Sequence, residues 1–93
     1  MKKIIHFEYN LPVSIFKEKN IFIAYSPALD LSTSGKNFNE VRKRFKEVVK
    51  IFFDELSDKD TLDQVLQEYG WKKTKQQWSA PTFVAHDNIP VRV

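Results

Sequence analysis

The chain has 93 residues, 42% of them hydrophobic and 14% aromatic, with fifteen Lys and Arg against twelve Asp and Glu. That length fits one domain around one core, and a domain this small gains from oligomerisation, so a homo-oligomer is expected. The absence of cysteine excludes disulfides, thiol catalysis and Cys-based zinc sites and suits a reducing cytoplasm, while no apolar run is long enough for a membrane helix.

The opening MKKIIHFEYN has neither the long apolar stretch nor the small-residue cleavage site of a signal peptide. From Ile5 to Ile15 the odd positions are apolar and the even ones mostly polar, the period of a half-buried strand. Pro12 donates no ladder hydrogen bond, so the strand bends there or lies at an edge. His6 falls on the polar side and is read as a solvated or sheet-face side chain.

The polar stretch Lys17–Asn20 predicts a turn that pairs a strand over 13–16 with one over 21–25. Residues Ile21 to Tyr25 are apolar on both alternations, which marks a strand covered on both faces or central in its sheet. Leu29, Leu31 and Thr33 alternate with Asp30, Ser32 and Ser34, predicting a third antiparallel strand over 29–34. Gly35 is read as a turn glycine that suits a positive φ.

A long helix over 38–56 follows. Asn37 is an N-cap residue, and Glu40 stands three positions on, where a capping box places its carboxylate. Phe38, Val41, Phe45, Val48, Val49, Phe52 and Leu56 form one apolar stripe at helical spacing. Ile51 and Phe53 flank it, and each either closes the core edge or faces another chain. Ser57 and Asp58 end the helix. Asp60 is expected to cap a second, shorter helix with Leu62, Val65, Leu66 and Tyr69 on its apolar face, and Gly70 stops it.

Residues WKKTKQQ from Trp71 to Gln77 read as a basic connector, with Trp71 plugging the seam between sheet and helix. Trp78 and Pro81 lead into PTFVAHDNIPVRV, a β-branched, apolar tail with a turn expected at Asp87–Asn88. The tail pairs at a sheet edge of its own chain, a sister chain or a partner. The domain division is thus 1–71 for sheet and helices and 72–93 for connector and tail, both in one domain.

The ordered series of strand, SPALDLSTSGKNFNEV, a helix rich in Phe, Lys and Glu, and TLDQVLQEYGW resembles HicB-like antitoxins of toxin–antitoxin pairs over about residues 11 to 71. Val41 departs from the alanine common in that family. The resemblance implies an α+β fold: an antiparallel three- to four-stranded sheet packed by one long and one short helix, in a partial ribonuclease-H-like arrangement. It implies a HicA-like ribonuclease toxin as partner, inhibited by being covered. Many family members append a DNA-reading domain. The 22 residues after Trp71 read as extended and offer no recognition helix, so a short form is expected.

Charge is segmented: residues 1–50 carry a net +5, residues 51–69 a net −5 and residues 70–93 a net +3. The acidic stretch 54–68 would suit a cationic partner. Candidate partner-binding residues are Ile51, Phe53, Asp54, Glu55, Trp78 and Phe83. Arg42, Lys46 and Lys50 lie on one helical line, with Lys72, Lys73 and Lys75 as a second basic patch, and either is a candidate nucleic-acid face. Glu40 and Glu47 are placed to pair with Lys43, Arg44 or Lys50, which makes a solvated helix face the plainer reading.

No catalytic constellation is apparent. His6 and His86 lie far apart in sequence, two glycines cannot form a phosphate loop, and Ser26, Ser32 and Ser34 lack a nucleophile-elbow setting. Asp54, Glu55, Asp58, Asp60 and Asp63 do not match a calcium loop, and Asp30 has no second strand carboxylate beside it. The expectation is a non-enzymatic antitoxin-type inhibitor with no cofactor or metal. The alternative is an orphan oligomerising or nucleic-acid-binding regulatory module.

Overall fold

A three-stranded antiparallel sheet crossed by a long helix forms the body of the protein, in a computed structural model that describes residues 11–74 and 77–93. His6, the Ile5–Asn10 part of the alternating stretch, and Lys75 lie outside the described residues. The strands β1 (Ser14–Glu18), β2 (Ile21–Ser26) and β3 (Leu31–Gly35) stand in that order. β2 is therefore central and β1 lies at an edge, with Pro12 just ahead of it.

The β1–β2 register sets Phe16 opposite Ile23 and Ile15 opposite Ala24, and the β2–β3 register sets Ala24 opposite Thr33. The connecting turn is only Lys19–Asn20, with Lys19 at φ 57°. β3 begins at Leu31, later than the alternation predicted. Pro27–Asp30 form a turn in which Asp30 adopts φ 51° and accepts a 3.1 Å hydrogen bond from the Tyr25 hydroxyl.

The helix α1 (Phe38–Asp58) starts as its sequence dictates. The Asn37 side chain accepts from the Glu40 amide at 2.8 Å, and Glu40 reaches back to the Lys36 amide at 3.3 Å. The stripe is buried in part. Val41 and Phe45 pack with Ala24, while Val49 and Phe52 close over neighbouring clusters. Phe38 at the helix start is exposed. Gly35 does not have the positive φ expected of it. It is needed for space: an added Cβ would sit 2.7 Å from the Val41 nitrogen, so β3 and α1 touch backbone to backbone.

The two helices end in the same way. α1 closes with the amide of Asp60 bonded to the Ser57 carbonyl and that of Thr61 to the Leu56 carbonyl. α2 (Leu62–Glu68) closes with Gly70 bonded to Gln67 and Trp71 to Leu66. Both are Schellman patterns, with the left-handed position filled by Asp60 (φ 56°) and Gly70 (φ 85°). Asp60 is thus the terminator of α1 and not the cap of α2, whose N-cap is Thr61.

A short hairpin, β4 (Lys72–Thr74) with β5 (Gln77–Ser79), replaces the expected connector. It carries Trp78 into a core cluster with Ala28, Leu29, Phe53, Leu66 and Trp71. Trp71 plugs the seam as expected, donating its indole N–H to the Ala28 carbonyl at 2.7 Å. Residues 82–93 are exposed and lie outside any strand or turn, so the turn expected at Asp87–Asn88 does not form.

Candidate interaction surface

Strand pairing divides the sheet into two faces. Ile15, Phe22, Ala24 and Leu31 point towards α1. Phe16, Ile21, Ile23 and Tyr25 point the other way. Phe16 and Ile21 are 49% and 51% exposed, and Ile23 and Tyr25 are half-buried. Apolar side chains left open on a sheet face, rimmed by Glu18, Ser32 and Ser34, form a surface suited to a partner. The double-sided apolar pattern of 21–25 marks a strand that is central, as expected, but covered on one face and not on both. Phe16 was harder to read, because it falls on the polar alternation of its strand.

On the helix side, a groove of about 520 Å³ runs between β1 and α1. Leu11, Val13, Ile15, Phe45 and Val49 line it, and Arg42 and Lys46 stand at its basic rim. These two belong, with Lys50, to the expected nucleic-acid face, and all three side chains are exposed. Arg42 lies over the Phe38 ring at 5.7 Å. Lys50 pairs with Asp54 at 2.8 Å, and that contact raises the lysine's pKa.

The expected partner-binding residues fall into three groups. Phe53 and Trp78 are core residues, 9% and 8% exposed, so they offer no free surface. Phe53 lies on the flank of the stripe that the β4–β5 hairpin covers, which corrects its reading as an anchor. Ile51, on the other flank, is 64% exposed. Asp54 and Glu55 are exposed but engaged: Glu55 pairs with Lys59 at 2.8 Å, which lowers the carboxyl pKa and raises that of the lysine. Asp63 meets Lys73 at 3.4 Å. The acidic stretch is thus partly neutralised by neighbouring lysines. Phe83 is exposed and borders a small cleft with Pro12, Val13, Ser14 and Pro27.

Among the described residues no three His, Asp or Glu side chains are grouped as metal ligands, and no helix is long and apolar enough to cross a membrane. The arrangement defines a small α+β protein whose sheet is covered by a helix on one side and presents apolar side chains on the other. Searches against protein-family models, curated proteins and solved structures find no match to the chain.

Proposed function

We propose that this protein is an antitoxin-type inhibitor that binds a small, basic, HicA-like ribonuclease toxin and covers its RNA-cleaving surface. Support comes from the resembling series SPALDLSTSGKNFNEV, which lies on β2, the Pro27–Asp30 turn, β3, Gly35 and the start of α1. That order of elements is the one a partial ribonuclease-H-like fold of this family would use. The cytoplasm is the compartment where such a toxin acts.

The observation that carries the reading is the open sheet face. Phe16 and Ile21 stand exposed beside the half-buried Ile23 and Tyr25, a contact surface on the face of the sheet that α1 leaves open. Ile51, Asp54 and Glu55 extend a second exposed strip along α1. A cationic toxin would displace the lysines now paired with the two carboxylates, a modest cost for exposed ion pairs.

Co-expression with a small basic protein encoded beside this chain tests the proposal. Growth should be rescued by the wild-type chain and lost again with Phe16→Asp, which alters an exposed position and leaves the core intact. A toxin that stays fully active at an excess of this chain ends the inhibitor reading. A second reading, an orphan oligomerising module, is favoured by one feature: the apolar tail that projects from the body.

A further inference from the structure

We infer that residues 81–93 are an exchange arm, which lies in the β1–α1 groove of a second copy of this chain. The arm leaves the hairpin after Ser79 and passes β1, where Phe83 borders a cleft with Pro12, Val13 and Ser14. Beyond that point it makes no strand. Val84, Ile89 and Val91 are 89%, 75% and 78% exposed. Ile89, Val91 and Val93 alternate with Pro90 and Arg92, so one side of an extended arm is apolar.

The groove has the complementary character. Leu11, Val13, Ile15, Phe45 and Val49 give it an apolar floor, and Arg42 and Lys46 give it a basic rim. Asp87, the arm's single acidic residue, divides Phe83–Ala85 from Ile89–Val93. Setting Asp87 against that rim leaves the apolar side of Ile89–Val93 to enter the floor.

The arm does not fill its own chain's groove: residues 82–93 are exposed and none of them lines it, which leaves the groove of a second copy to receive it. Val13 lines both the groove and the cleft where Phe83 leaves the body, so departure point and receiving site adjoin. A two-fold axis near Val13 therefore seats both arms at once, each in the other's groove, as a closed isologous contact. Exchange of an identical segment is a low-cost route to a dimer. This inference is independent of the inhibitor reading and is tested without any toxin.

The test is the solution mass of the full chain by light scattering over a dilution series. A dimer is expected. The double variant Ile89→Asp/Val91→Asp, at exposed positions, should weaken the dimer by about a hundredfold or more while the circular dichroism of the fold is kept. Because the chain has no cysteine, Lys46→Cys and Asp87→Cys chains can be mixed and oxidised, and a cross-linked heterodimer is expected. A wild-type monomer at every concentration, a dimer indifferent to the double variant, or no cross-link between the mixed chains would overturn the inference.

Discussion

Trp71 and Ala28 are joined by a buried 2.7 Å hydrogen bond between residues 43 apart in sequence. The bond ties the turn after β2 to the end of α2, and the Schellman closure at Gly70 is what delivers the indole there. Trp71→Phe keeps most of the ring volume but leaves the Ala28 carbonyl buried and unpaired, at a cost of about 1–3 kcal/mol. Trp71→Ala should cost about 3–5 kcal/mol. Chemical denaturation of the two variants checks the order and the gap.

The two glycines are required for different reasons, and substitution separates them. Gly35→Ala pushes a methyl group against the Val41 backbone and should cost about 1–3 kcal/mol by overpacking. Gly70→Ala meets nothing closer than Pro81 at 3.8 Å, so its cost is that of a left-handed residue, about 1–2 kcal/mol. Asparagine tolerates that conformation, so Gly70→Asn should recover part of the loss while Gly35→Asn recovers none. Melting temperatures of the four variants decide this.

Asn37 accepts from the Glu40 amide at the start of α1. Asn37→Ala should cost about 1 kcal/mol, and Asn37→Asp or Asn37→Ser should restore most of it. Equilibrium unfolding of the three variants provides the comparison.

Tyr25 donates to Asp30, and that bond, with burial and the carboxylate's charge adding to it, raises the phenol pKa above its ordinary value near 10. A raised folded pKa means the folded state holds the proton more tightly. The contribution is fully present below the unfolded value and is lost as pH rises through the folded one. Asp30→Asn should bring the Tyr25 titration back towards 10, read from its ring resonances by NMR. No change on substitution would show that the contact is not maintained in solution.

Much of the body was legible because local signals agreed with one another. Asn37, Glu40 and the stripe through Val41 and Phe45 set α1, and the double-sided apolarity of Ile21–Tyr25 set the central strand. The β4–β5 hairpin was not legible, since Lys72–Thr74 and Gln77–Ser79 lack a period-two apolar pattern and Trp78, with Lys73 over its ring at 5.6 Å, is their one buried side chain. That unseen hairpin is also why Phe53 and Trp78 read as surface anchors. Asp60 misled because aspartate serves both as an N-cap and as a left-handed terminator. The open sheet face was not legible: apolarity on both alternations of Ile21–Tyr25 reads equally as a strand covered on both faces, and Phe16 falls on the polar alternation of its strand.

The proposed inhibitor would occlude a cationic ribonuclease, and titration of that toxin's RNA cleavage with the purified protein reads this out. Cleavage should fall to the background with a sharp stoichiometric endpoint, and Phe16→Asp should shift or abolish that endpoint. Cleavage that continues unchanged past molar excess of the folded wild-type chain would contradict the account.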